Sequence, residues 1–98
     1  MKREVRLSKR AMKRLDKLFV FLEKEWSIKV KNNFIKKLDR SLKQLQEHPT
    51  SFPESEKIAG LRKCVVTKQT TIFYKYSTST VYIVSVFDNR QAPKSQNK

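Results

Sequence analysis

The short connections in the second half of the chain constrain its fold more than any other feature. Three runs rich in β-branched and aromatic residues follow one another, at residues 61–67, 70–76 and 80–87. Only Lys68-Gln69 and Ser77-Thr78-Ser79 separate them. Links of two or three residues close hairpins and are too short to cross a sheet. The pattern therefore predicts an antiparallel meander with one apolar face to bury.

The first half supplies a cover. Ala11, Met12, Leu15, Leu18, Phe19, Leu22 and Trp26 recur at the spacing of one helix face, and Ser8 stands where a helix cap belongs. Val20 and Phe21 widen that stripe. A second stripe runs Val30, Phe34, Ile35, Leu38, Leu42, Leu45, with Ser27 as its cap and Pro49 as its stop. Two amphipathic helices with a short connection form an antiparallel hairpin. Residues 49–56, PTSFPESE, read as a surface loop. At the start, Arg3-Glu4-Val5-Arg6-Leu7 alternates charged and apolar residues as a half-buried strand does. The order is β-α-α-β-β-β. The expected fold is α+β: a helical hairpin packed on one face of a four-stranded, mainly antiparallel sheet, in a single domain over residues 1–98. The partner of the first strand stays open, and residues 91–98 read as a polar, frayed tail.

Charge is the other strong feature. The 98 residues carry 23 Lys+Arg against 9 Asp+Glu, a formal charge of +14. It is spread along the chain: residues 1–47 hold fifteen basic and six acidic side chains, residues 48–98 eight and three. Such a surface keeps a small protein in solution, or attracts nucleic acid or an acidic protein segment. No run of about 18 apolar residues exists, so no membrane partner is expected. The charged N-terminal stretch lacks the pattern of a signal peptide, which points to the cytoplasm.

Several chemistries are poorly served by these residues. The lone Cys64 allows neither an internal disulfide nor a cysteine-based zinc site, and in a valine-rich strand it reads as a small buried hydrophobe. The single His48 sits at a helix end, where it caps rather than ligates, and no metal or cofactor is expected. One glycine, Gly60, cannot build a phosphate-cradling loop. What remains is metal-free cleavage of RNA, which needs cations around a phosphorane and groups to move protons. The candidates are Lys57, Arg62, Lys63, Lys68, Tyr74 and Arg90. Strand alternation puts Leu61, Lys63, Val65 and Thr67 on one face and Arg62, Cys64 and Val66 on the other, with one basic residue in each set. As structural residues, Arg90 would pair with nearby Asp88. Tyr74 and Tyr76 would pack beside Ile72 with a wet hydroxyl.

The ordered set of features resembles the RelE/ParE superfamily of bacterial toxins, which includes plasmid stabilisation proteins. Leu7-Ser8-Lys9-Arg10-Ala11 leads into a leucine-spaced helix. A proline-containing loop runs into Gly60-Leu61-Arg62-Lys63. The strands carry Thr71-Ile72-Phe73-Tyr74 and Val84-Ser85-Val86-Phe87-Asp88-Asn89-Arg90, followed by Gln91-Ala92-Pro93-Lys94. The resemblance implies the toxin half of a type II toxin–antitoxin pair, neutralised by an antitoxin that wraps an extended, often acidic segment around it. It implies one of two targets. The RelE branch enters the ribosome and cleaves messenger RNA, with basic residues on the first meander strand, where Arg62 and Lys63 stand. It also has an arginine early in the next strand, where this chain has Thr71, and a Tyr or His near the C-terminus, where residues 91–98 hold neither. The ParE branch poisons DNA gyrase by binding and needs surfaces rather than a catalytic set. Val20, Phe21 and Trp26 are the surplus apolar residues that could serve such an interface. The resemblance thus implies growth inhibition by target binding, with messenger RNA cleavage around Arg62, Lys63, Lys68 and Arg90 as the alternative. Outside the family, a small basic module that binds nucleic acid through exposed aromatics such as Phe73 or Tyr82 also fits the composition.

Overall fold

The computed structural model of the chain describes residues 2–91. Its elements run β1 (Glu4–Leu7), α1 (Lys9–Glu25), α2 (Ile28–Glu47), β2 (Arg62–Val65), β3 (Thr70–Tyr76) and β4 (Thr80–Asp88). Short 3-10 turns at Pro49–Ser51 and Asn89–Gln91 follow α2 and β4. Residues 92–98, most of the expected tail, lie outside the described residues.

Both helices begin where a serine side chain replaces a missing backbone partner. Ser8 Oγ accepts from the Ala11 amide at 3.0 Å, and Ser27 Oγ from the Val30 amide at 3.0 Å. Trp26 and Ser27 alone connect the helices, and both residues donate backbone N–H bonds to the Leu22 carbonyl. Ala11, Leu15, Leu18 and Leu22 of α1 and Phe34, Leu38 and Leu45 of α2 are buried. They meet Cys64, Ile72, Tyr74, Val81, Ile83 and Val86 from the sheet in one core. Phe19 and Phe34 close the helix interface edge to face, 6.2 Å between ring centres.

The sheet order is β1-β4-β3-β2. The meander is antiparallel, while β1 joins its edge parallel to β4, from Glu4 opposite Thr80 to Leu7 opposite Ile83. β2 is shorter than the expected 61–67. Thr67 folds back instead, its hydroxyl accepting from the Gln69 and Thr70 amides at 3.1 Å each, so residues 66–69 form the turn.

Two departures from regularity shape the open side of the sheet. Phe73 faces Ser85 but Tyr74 faces Ile83, so Val84 is an extra residue in β4. Val81 and Ile83 point at the helices before this bulge, and Val86 and Asp88 are buried after it. Alternation along β4 changes phase there. Second, β1 ends at Leu7, so β4 beyond Ile83 lacks a strand on that side. Side chains satisfy the exposed carbonyls: Ser8 Oγ donates to Val84 at 2.7 Å and Arg14 Nη1 to Val86 at 3.2 Å.

Candidate functional site: a basic cleft on the open face of the sheet

Pairing with β3 settles the two faces of β2. Cys64 is buried in the core, so Arg62 shares the helix side and Lys63 and Val65 take the open side. A cleft of about 450 Å³ lies on that open side. Its floor is Lys63 of β2, Thr71 and Phe73 of β3, and Ser85 and Phe87 of β4. One rim is residues 55–58, and the other is the β2–β3 turn at Lys68 and Gln69 with Asn89. Arg14 reaches in from α1, which is possible because β1 stops short of Val86.

The rim is pre-shaped rather than slack. The Ser55 amide donates to the Leu61 carbonyl at 2.7 Å, and the Lys63 amide to the Pro53 carbonyl at 2.9 Å. Ser55 Oγ accepts from the amides of Lys57 and Ile58 at 3.1 and 3.0 Å. Gly60, at φ 85°, makes the left-handed turn that brings the loop back into β2. Four cations, Arg14, Lys57, Lys63 and Lys68, face one carboxylate, Glu56, in the lining. Phe73, Phe87 and Ile58 add apolar surface. The arrangement suits an extended anionic ligand carrying some apolar groups.

The four cations singled out from the sequence are not brought together. Lys63 and Lys68 line the cleft. Arg62 turns to the helix side, where Nη1 donates to the Phe52 carbonyl at 2.6 Å and its guanidinium lies 5.8 Å from the Tyr76 ring centre. Arg90 is spent on Asp88, donating through Nε at 3.1 Å, Nη2 at 2.7 Å and its backbone amide at 2.9 Å. Thr70 Oγ1 donates to the same carboxylate. Burial alone would raise the Asp88 pKa, but the hydrogen bonds from Arg90 and Thr70 outweigh it and hold the carboxyl below its ordinary value. What is exposed of Arg90 lines a separate hollow of about 240 Å³ with Lys37 and Asn33 of α2.

The aromatic candidates also differ from expectation. The wet hydroxyl expected at Tyr74 is dry: the ring is fully buried and its OH donates to the Pro49 carbonyl at 2.5 Å. Burial drives its pKa up to about 12, although the nearby Arg62 charge pulls the other way. Phe73 is 8% exposed, so it is cleft floor and no free stacking platform. Tyr82 is half-buried beside Lys75, whose ammonium lies 5.7 Å from its ring centre. Cys64 is buried, which raises its thiol pKa, with the Ser41 side chain acting in the opposite direction. His48 caps α2, its amide donating to the Gln44 carbonyl at 2.7 Å.

The apolar residues of the hairpin divide as well. Phe21 packs partly against the core, whereas Val20 and Trp26 are 57% and 61% exposed. Ile28, beside Trp26 across the connection, is equally exposed. Arg14, Glu56 and Phe87 line the cleft without having been singled out. The truncation of β1 that admits Arg14, and the bulge that fixes the facing of Phe87, leave no mark in the pattern. Among the described residues, no helix is long and apolar enough to cross a membrane.

Comparison with known proteins agrees with this architecture. A chromosomal ParDE toxin–antitoxin structure from P. aeruginosa superposes with a TM-score of 0.74 at 12% identity, covering 89% of this chain and 96% of that one. A chain of the E. coli DinJ-YafQ toxin–antitoxin complex gives 0.59 at 13% identity, with 94% and 98% covered. A copper-bound mutant toxin from Helicobacter pylori gives 0.57 at 14% identity, with 95% and 100% covered. At these identities the likeness is one of fold. No curated protein matches the chain. The profile of the family described as the ParE toxin of the type II toxin–antitoxin system parDE matches residues 5–93, nearly the whole chain. The chain therefore belongs to the ParE toxin family of type II toxin–antitoxin systems.

Proposed function

We propose that this protein inhibits growth by binding a target, with DNA gyrase as that target, and that its cognate antitoxin lays an acidic, apolar-studded segment along the cleft. One observation carries the reading. The cleft gathers Arg14, Lys57, Lys63 and Lys68 around an apolar floor, but its lining holds neither a histidine nor a tyrosine. The only histidine caps α2, Tyr74 is sealed in the core, and residues 92–98 contain neither type. Cations can stabilise a phosphorane, but a cleaving site also needs groups matched to moving protons. A cleft built this way supports recognition of an anionic chain better than its cleavage. Exposed Val20 and Trp26 on the hairpin support a second contact, with antitoxin or target. The reading places the protein in the cytoplasm with its target.

Messenger RNA cleavage is the rival, favoured by the convergence of Lys63 and Lys68 near Glu56. Expression in bacterial cells separates the two. Target binding predicts gyrase-trapped DNA breaks with intact translated messages. Codon-linked cuts in translated messages, lost in a Lys63→Gln, Lys68→Gln double variant, would overturn it.

A further inference from the structure

The cleft uses only a small part of the charge. The two helices carry twelve basic and five acidic residues, and their buried faces point at the sheet. On the opposite, outward side lie Lys13, Lys17 and Lys24 of α1, and Lys29, Lys36 and Arg40 of α2, all exposed. The spacings of four and seven on α1 and seven and four on α2 keep each set on one stripe.

The two stripes match across the hairpin. The helices are antiparallel and turn at Trp26-Ser27. Residues equally far from that turn sit level, which pairs Lys24 with Lys29, Lys17 with Lys36, and Lys13 with Arg40. Three rungs of like charge result, on helices whose axes pack about 8–10 Å apart. The ladder is about 16 Å long at 1.5 Å per residue. Among the described residues none of the six is held in an ion pair; the helix pairs are Lys31 with Glu23 and Lys43 with Asp39, beside the ladder. Within the stripes, Lys13 with Lys17 and Lys36 with Arg40 are like charges four residues apart, which work against the helices, so core packing does not account for them.

We propose that this outward face of the helical hairpin is a docking surface for the backbone of double-stranded DNA. Val20 apart, the face is polar: the six cations outnumber the exposed carboxylates Asp16 and Asp39 beside them, and Asn32 completes it. An acidic peptide needs apolar anchors and a groove, which lie on the opposite side of the molecule. A single strand is held by stacking its bases on aromatic rings, and the ladder carries none. Duplex DNA presents one charge per about 1.7 Å of axis, so the ladder spans about nine phosphates and reads no sequence. Because the cleft is on the other side of the sheet, one molecule can hold DNA and a cleft ligand together. The proposal does not depend on how the toxin acts.

The test is fluorescence anisotropy with a mixed-sequence 20-base-pair DNA, comparing affinity at 50 and 200 mM salt. Six phosphate contacts predict a loss on the order of a thousandfold across that range. A Lys17→Gln, Lys24→Gln, Lys36→Gln triple variant, whose helix propensities are matched, shrinks the loss to about fortyfold. Thermal unfolding by circular dichroism checks that it folds. A Lys63→Gln, Lys68→Gln variant of the cleft keeps the wild-type salt dependence. The proposal is overturned if the triple variant keeps that dependence, or if the cleft variant loses it. It is equally overturned if poly-glutamate displaces the duplex at equal charge concentration, or if a single strand of the same sequence binds as tightly.

Discussion

Replacing Asp88 by Asn isolates the buried ion pair at the end of β4, which Thr70 links to the start of β3. The carboxylate is 2% exposed and receives a hydrogen bond from Thr70 Oγ1 and three from Arg90, while the Arg90 side chain is 20% exposed. An amide of nearly the same shape keeps the volume but loses the charge. It also turns an NH₂ toward one of the donors. Breaking a fully buried pair costs about 3–5 kcal/mol. Arg90 keeps some contact with water, so about 2–3 kcal/mol is expected. That is a large share of the roughly 5–15 kcal/mol that holds a domain of this size together. It corresponds to a fall of roughly 15 °C in melting temperature. The pH dependence carries a sharper signature. The folded carboxyl titrates below its ordinary value of 3.8, so its stabilisation is fully present above that value and disappears as pH falls through the lower, folded value. Urea unfolding at about pH 7, 5, 3.5 and 2.5 should show a wild-type advantage that is constant down to about pH 5 and then narrows. A variant within about 0.5 kcal/mol of wild type at pH 7 would refute the reasoning, as would an advantage unchanged at about pH 2.5.

Three further changes test the scaffold around the cleft. Ser8→Ala removes both the α1 cap and the donor to the Val84 carbonyl. It should cost about 2 kcal/mol in denaturant unfolding; Ser27→Ala, which loses only a cap, should cost about half that. Tyr74→Phe strands the buried Pro49 carbonyl and should cost about 1–3 kcal/mol. The same change should abolish the tyrosine absorbance step delayed toward about pH 12. Arg62→Lys keeps the charge but loses the fork that reaches the Phe52 carbonyl. It should lower stability by about 1 kcal/mol while leaving growth inhibition in cells intact, and loss of inhibition with unchanged stability would place Arg62 in a binding site instead.

The helices were legible because their determinants are local. Ser8 and Ser27 cap as their spacing suggests, the two stripes bury five of their six leucines and half-bury Leu42 while Met12, Ile35 and Trp26 at the stripe edges stay exposed, and the meander follows from its short links. The parallel pairing of β1 with β4 was not legible, because it joins segments more than seventy residues apart with no turn between them to set direction. Nor was the bulge at Val84, where a run of β-formers conceals an extra residue. That bulge decides that Phe87 faces the cleft while Val86 and Asp88 face inward. The sidedness of Arg62 and Lys63 depends on which face the hairpin covers, so alternation alone left them equivalent.

The different fates of the basic residues follow from the shape of their head groups. A guanidinium offers several donors in a planar fork and carries its charge diffusely, so it can be partly desolvated against main-chain carbonyls. Three of the seven arginines are used in this way, Arg3 on the Ser77 carbonyl, Arg14 on Val86 and Arg62 on Phe52, and a fourth, Arg90, forks onto the Asp88 carboxylate. Each lies where the backbone leaves acceptors open, at a sheet edge, a loop or the end of a strand. An ammonium is a compact, strongly hydrated charge on a flexible stem and gains little from such sites. Lysines therefore stay in water, and they provide three of the four cations in the cleft and five of the six in the ladder on the hairpin. Arg14 alone is both held on a main-chain carbonyl and part of the cleft. Its bond to the Val86 carbonyl holds a guanidinium against the cleft at fixed geometry, whereas the positions of Lys57, Lys63 and Lys68 adjust to whatever anion lies there. A ligand in the cleft thus meets one rigid cation and three compliant ones, which suits a chain of variable acidic residues better than a single phosphate in one reacting geometry.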